Sequence, residues 1–360
     1  FMIFPHPETL QVLQVIVVAI GIIPFYLILR EFKTGKLMTF LFLLMYIFSP
    51  AIISSSLYDL HENCFLAPLL LFTIYFGIKK KTIPFFICGF MTLLVKEDAP
   101  LYVFFVGLYF MATNRFFEPD KEIRRKGVAD GALLSVLSII FFMIETSYLE
   151  ERGAGAMFWR YSNINRYGEL SLAGIFMSFF QDLSYFMATF FSPSKIATML
   201  ILLAALGFLP LMTRNMAAYF LAAPVLIINF LSNYIYQHEL MCQYFYGSGV
   251  LLLFMAVLAE KENRDILHIK IRNIRFDLKH ILAIFGVAIA VSFGISLLLS
   301  PRAGYLAYEA NTEQYTEMRE TLESIPKDKK VVATGYLTTY LADRFYLYDY
   351  EYFNLATTRV

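Results

Sequence analysis

Thr9 to Leu29 reads TLQVLQVIVVAIGIIPFYLIL and is followed at once by Arg30-Glu31-Phe32-Lys33-Thr34-Gly35-Lys36. Twenty-one positions without a charged side chain, closed by a short basic turn, match the ~20 apolar residues that a helix needs to cross a bilayer. The pattern repeats along the chain. Apolar runs recur near 9–29, 37–56, 63–78, 83–95, 99–113, 128–148, 195–212, 217–233, 247–259 and 281–300. Those near 83–95, 99–113 and 247–259 are short, and must extend into their flanks, sit in thinned bilayer or be covered by neighbours. One more stretch, 171–192, is interrupted by Gln181, Asp182 and Ser184. It reads as an amphipathic helix at the interface, with a re-entrant segment as the rival.

If the chain starts outside and crosses at each run, the inside loops are Arg30–Lys36, Lys79–Lys81, Asn114–Gly127, Arg214 and Glu260–His280. They carry eighteen Lys and Arg. The outside loops carry five: Lys96, Arg152, Arg160, Arg166 and Lys195. The remaining seven lie in the tail after Ser300. Positive charge accumulates on the cytoplasmic side of membrane proteins, so the expectation is a multi-pass protein of the cell membrane with its C-terminal tail extracytoplasmic.

Composition supports the same class. The chain is 58% hydrophobic and 16% charged, against roughly 45–50% and about 25% in soluble domains. A net charge of +1 gives no footing for a nucleic-acid partner. Cys64, Cys88 and Cys242 sit in or beside apolar runs without zinc spacing and read as small hydrophobes. The chain opens Phe1-Met2-Ile3-Phe4-Pro5-His6-Pro7 and reads as a fragment lacking both natural termini.

The fold expected is an all-α polytopic membrane protein with about ten transmembrane helices and a small C-terminal α/β element. The helical domain takes 1–300, with the outer amphipathic segment near 150–192; the extracytoplasmic element takes 301–360. In that tail Asn311–Ile325 has helical spacing, Val331–Thr334 reads as a strand, Gly335–Ala342 as a short helix and Phe345–Tyr350 as a second strand.

Four polar groups fall on the outer side. Tyr58-Asp59-Leu60-His61-Glu62, entered through Ser54-Ser55-Ser56, places an acid and a histidine at a helix mouth. They could orient a phosphate, relay a proton or hold a divalent cation, or form a solvated turn. Lys96-Glu97-Asp98 packs three ionisable groups between two apolar runs. Lys96 suits phosphate neutralisation and Glu97 or Asp98 proton acceptance; a self-compensating charged turn is the alternative. The loop 150–169 interleaves Trp159, Arg160, Tyr161 and Arg166, which suits a sugar, a lipid headgroup or plain interfacial anchoring. Tyr236-Gln237-His238-Glu239 and Gln243–Ser248 form a fourth group, read as lid, wall or connector. No P-loop, GxSxG, HExxH or dinucleotide fingerprint is present.

Several segments resemble a family of predicted membrane proteins, domain-of-unknown-function family 2079. They are Phe48-Ser49-Pro50-Ala51 leading to Tyr58–His61, Leu94–Ala99, Gly207–Leu211, Ala223-Pro224, Asn229–Asn233, Ile325-Pro326 with Val331–Thr334, and Leu341–Arg344. That family in turn resembles the GT-C glycosyltransferases. The resemblance implies a polyprenyl-phosphate sugar donor, a catalytic face outside the cytoplasm and inverting transfer by a carboxylate base. GT-C enzymes place that base in the first outer loop, which has no counterpart in this chain. Asp59, Glu97 and Asp98 are therefore catalytic candidates only, with Lys96, His61, Glu62, Arg160, Arg166 and His238 as substrate-binding residues and no protein metal site. Two other classes compete: a transporter, which requires charges near the midplane and paired halves, and a noncatalytic lipid-binding membrane scaffold.

Overall fold

The computed structural model describes residues 7–57, 59–151, 158–164, 172–263, 268–271, 274–299 and 305–350. Among these described residues, five helices are long and apolar enough to cross a membrane: α1 (Glu8–Glu31), α2 (Lys36–Ser56), α6 (Lys121–Glu151), α11 (Gln243–Glu262) and α12 (Leu278–Leu298). Between them lie α3 (Glu62–Ile78), α4 (Thr82–Leu93), α5 (Ala99–Phe117), α7 (Leu172–Gln181), α8 (Leu183–Phe190), α9 (Pro193–Ala205) and α10 (Met216–Phe230). The α8–α9 pair qualifies as a sixth span bent by 58°, a broken span or a re-entrant loop. Each apolar run read from the sequence carries helix, but five or six rather than about ten of them qualify as membrane spans among the described residues; α3, α4 and α10 are too short. The protein is an all-α polytopic membrane protein with a small α/β element.

Each boundary has a local cause. Pro100 and Pro193 sit in the first turns of α5 and α9, where proline loses no hydrogen bond and its fixed φ suits the helix. The 171–192 stretch splits at Asp182, whose carboxylate accepts from the Tyr185 N–H at 2.9 Å and caps α8. At the ends of α1 and α3, Lys33 and Lys80 take left-handed backbone at φ 53 and 56. The amides that follow them return to Leu29 and Phe76, closing both helices with a chain reversal.

Contacts divide the chain into two compact units, Ile16–Gly294 and Phe1–Val15 with Ile295–Val360. In the first, α11 is the axis: every residue from Tyr246 to Glu260 is buried. A helix that is apolar all round belongs in such a place. Small residues let its neighbours close in. A Cβ on Gly249 would lie 2.4 Å from the Ala51 Cβ of α2, and one on Gly247 would lie 2.6 Å from the Tyr102 ring of α5. α6 lies along α5 through Gly127, Gly131 and Ser135, four residues apart. The Ser135 hydroxyl reaches across to donate to the Phe104 carbonyl at 2.9 Å. The opposite side of α6 leaves Leu133, Val136, Ile140, Met143 and Ile144 exposed. Such a face is unfavourable in water and favourable in lipid.

In the second unit, α13 (Tyr305–Ala310) and α14 (Thr312–Ser324) precede two strands, Val331–Ala333 and Leu347–Asp349. The strands pair in parallel, Val331 opposite Leu347 and Ala333 opposite Asp349, across the short helix Gly335–Thr338. Arg344 closes this element. Its guanidinium donates to the Pro326 and Ile325 carbonyls, both at 2.6 Å, just beyond the end of α14. Asp343 beside it pairs with Lys327. Hydrogen bonds from a charged donor contribute about 1.5–3 kcal/mol. Arg344→Ala should therefore loosen the element by roughly 2 kcal/mol, read as faster amide exchange over 319–333, with exchange in α11 unchanged.

Candidate functional site

The helical hairpins sort polar groups to two ends of the first unit. α3 runs from Glu62 to the Lys79–Lys81 turn, α4 returns to Lys96, and α5 departs from Asp98 toward Glu118. At the lysine-rich end Lys79 pairs with Glu31 at 3.0 Å and Lys80 with Glu118 at 3.7 Å. At the other end Lys96 meets Glu62 at 2.9 Å and donates to Asn63 Oδ1 at 3.2 Å. Only 10% of the Lys96 side chain is exposed, and its ammonium lies 5.2 Å from the centre of the Tyr244 ring. Burial alone would lower its pKa, but the carboxylates of Asp98, Glu97 and Glu62 outweigh that and hold it above the usual lysine range.

Arg160 arrives from the segment 158–164. It is 8% exposed, 4.0 Å from Glu97 Oε1, and within 6 Å of the ring centres of Tyr234 (4.9 Å), Tyr244 (5.6 Å) and Trp159 (5.7 Å). A flat guanidinium framed by aromatic faces is held in one orientation. Trp159, Tyr234 and Tyr236 continue the wall, with ring centres 5.3 and 5.0 Å apart.

Asp98 sits beneath these cations. It occupies the N-cap position of α5 but makes no cap hydrogen bond, and its Oδ1 is sealed from solvent without a hydrogen-bond partner among the described residues. The Arg160 Nε is sealed and unpartnered in the same way. Burial, reinforced by Glu97 and opposed by Lys96 and Arg160, pushes the Asp98 carboxyl up to about 6. That places its proton equilibrium close to neutral pH, where an acid–base group works best. Glu145, near the end of α6, lies within electrostatic range of Glu97 and Asp98, and its Oε2 is also buried and unpartnered.

The scaffold behind the wall is a buried hydrogen-bond network. Asn229, in the π-helical last turn of α10, donates to the Gln237 carbonyl at 2.8 Å and to the Tyr244 carbonyl at 3.1 Å, and accepts from Ser248 at 2.6 Å. Ser248 lies 3.4 Å from the Tyr102 hydroxyl, and Ser232 donates to Gln237 Oε1. The Arg160 carbonyl accepts from the Asn233 amide at 2.5 Å and from Ser232 at 3.2 Å. One asparagine thus fixes the segment that presents Tyr234 and Tyr244, and that segment holds Arg160 by its backbone.

Glu62, Lys96, Glu97, Asp98 and Arg160 therefore come together. His61 is half-buried at the rim, 3.9 Å from Glu62, with its pKa lowered by burial. Asp59 is exposed beside it. His238 goes elsewhere: its Nε2 is 3.4 Å from Ser194 Oγ, and its carbonyl accepts from Thr198. Buried Lys195 is its charged neighbour. Arg166 lies outside the described residues. Tyr244, from the Gln243–Ser248 group read as lid, wall or connector, joins the site as wall. Asn63, Tyr234, Asn229 and Glu145 join it without having been singled out as site residues from the sequence. Glu145 and Asn229 carried a signal, a lone acid within the apolar stretch Phe141–Thr146 and a lone amide within Val225–Phe230; Asn63 and Tyr234 lie in polar-aromatic segments where no spacing distinguishes them. Among the described residues, no three His, Cys, Asp or Glu side chains converge as a metal-ligand set.

No curated protein and no solved structure matches the chain. A model of one family does, over residues 1–359, and its description is "Predicted membrane protein (DUF2079)". With all but one of its residues covered, this membrane protein belongs to that family.

Proposed function

We propose that the protein is a glycosyltransferase of the membrane, acting on a polyprenyl-phosphate-linked sugar at the extracytoplasmic end of its helices. The observation that carries this reading is the pairing of two buried cations, Lys96 and Arg160, with the proton-active carboxylate of Asp98 behind an aromatic wall. The basic turns at the other end support a site facing the outside of the cell membrane, with the tail after Ser300 extracytoplasmic as well. Trp159, Tyr234 and Tyr244 offer faces on which a sugar ring stacks. Asp98, as carboxylate, takes the proton of an acceptor hydroxyl. The hydroxyl oxygen bonds to the anomeric carbon as the carbon–oxygen bond to phosphate breaks, and the electron pair leaves with the polyprenyl phosphate. Lys96 and Arg160 balance the charge that develops there. The released cations come from pairs with Glu62 and Glu97, which a phosphate can displace.

The test uses the full chain in nanodiscs with a radiolabelled polyprenyl-phosphate hexose, following release of polyprenyl phosphate with and without a membrane glycan extract as acceptor. Turnover is expected, and Lys96→Ala should lower it about 10²-fold, the cost of removing one preorganised charge. Asp59→Ala, at the exposed rim, should cost far less. Donor that neither binds nor turns over removes the proposal.

A further inference from the structure

At the opposite end of the first unit, α3, α4, α5 and α6 enclose a cavity of about 180 Å³ whose chemistry differs in kind. Its inner wall is the rings of Phe76, Phe85 and Phe110; its mouth carries Lys80, Lys81 and Lys126. The volume is several times the ~30 Å³ share of one water, so it suits a headgroup rather than a lone ion. Lys80 is partly engaged by Asn114 and Glu118, and the one acid in the lining, Asp130, accepts from the Thr82 hydroxyl at 2.8 Å. Lys81 and Lys126 are exposed, and no ion pair or hydrogen bond holds either ammonium among the described residues. We infer that this cavity binds an anionic phosphate headgroup at the membrane surface.

Three further features fit a ligand that is half lipid. The apolar wall continues the mouth inward, as the glycerol and first acyl carbons of a phospholipid require. Phe116 and Phe117, at the end of α5 beside the cavity, are 75% and 58% exposed, an arrangement suited to the headgroup–acyl boundary. Lys121, Arg124 and Arg125 on the same turn raise the local potential toward anionic lipid. The site is separate from the one proposed for sugar transfer and does not depend on that reading.

The full chain in neutral detergent is melted against added phosphatidylglycerol, phosphatidylcholine and inorganic phosphate. Phosphatidylglycerol is expected to raise the melting temperature in a saturable way and phosphatidylcholine is not. Each lysine near an anionic headgroup is worth about fivefold in affinity. The Lys81→Gln/Lys126→Gln variant should therefore need ~25-fold more phosphatidylglycerol for the same shift, with its lipid-free melting temperature unchanged. A Lys33→Gln/Lys36→Gln variant, which removes equal charge away from the lining and from the Lys121–Lys126 turn, should keep most of the affinity. Stabilisation by inorganic phosphate equal to that by phosphatidylglycerol would support the anion site and assign it to a free phosphate. Equal response to the two lipids without a phosphate effect, or equal loss in both variants, overturns the inference.

Discussion

Asn229→Leu is expected to destabilise the protein by about 3 kcal/mol, because three buried polar groups lose their only shared partner and leucine replaces none of them. Asn229 is fully buried, and its amide serves the Gln237 and Tyr244 carbonyls while its oxygen takes the Ser248 hydroxyl. Leaving such a group unsatisfied costs roughly 1–3 kcal/mol in a soluble core. Single side-chain hydrogen bonds inside bilayers average nearer 0.6 kcal/mol, which sets the lower side of the estimate. The measurement is thermal unfolding in detergent, where the variant should melt several degrees below the wild type. Ser248→Ala alone should cost about 1 kcal/mol, and the two changes should be non-additive, since the second removes a bond that the first has already broken. Because the same asparagine fixes the segment carrying Tyr234 and Tyr244, the Trp159 fluorescence should shift in Asn229→Leu as the Tyr234 ring loses its position 5.3 Å away. Unchanged melting and fluorescence would show that the network is incidental to the wall.

The helices were legible from sequence because one term dominates their formation. A run such as Thr9–Leu29 has no aqueous alternative, and backbone groups in lipid must pair within the segment. The C-terminal strands were legible for a different reason: Pro326 ends the preceding helix and the β-branched pair Val331-Val332 favours extended backbone. Site membership was only half legible. Lys96, Glu97 and Asp98 announced themselves as charges inserted between apolar runs. Arg160 and Glu62 were named with them as binding residues, but their pairing was not legible. The packing that brings Arg160 to Glu97 and Tyr244 to Lys96 is set by α10 and α11, far along the chain. His238 shows the converse. A histidine in a polar-aromatic turn looked like a ligand for the same site, yet the turn Ile235–His238 aims Gln237 into the network and His238 toward Ser194. Arg344 was visible within a family-like segment without a role; only the backbone of α14 reveals that it holds carbonyls.

Asp98→Asn should raise stability at pH 7 while abolishing turnover, and that opposition of signs is what separates a working carboxylate from a structural one. With its folded pKa near 6 against an ordinary value of about 3.9, the group binds its proton more tightly in the folded state. Its contribution is therefore fully present below about pH 4 and is lost as pH rises through about 6. Two units at 1.36 kcal/mol each make the wild type roughly 3 kcal/mol less stable above pH 6 than it would be with a neutral side chain. Asparagine keeps the shape and removes the charge, so the variant should melt higher than the wild type at pH 7.5, by a margin that vanishes near pH 4. Turnover behaves in the opposite way. The wild-type rate should climb with pH along a limb centred near 6 as the carboxylate forms. Asp98→Asn should lose the limb and about 10²–10⁴-fold in rate, the range for removing a general base. Glu97→Gln, which relaxes the 4.0 Å contact to Arg160 and removes one of the carboxylates facing Lys96, should keep the limb and shift it downward, because a neighbouring negative charge that raises the Asp98 pKa is gone. Equal turnover in Asp98→Asn, or a pH profile without a limb near 6, would leave Asp98 as a buried charge that the fold tolerates and the reaction does not use.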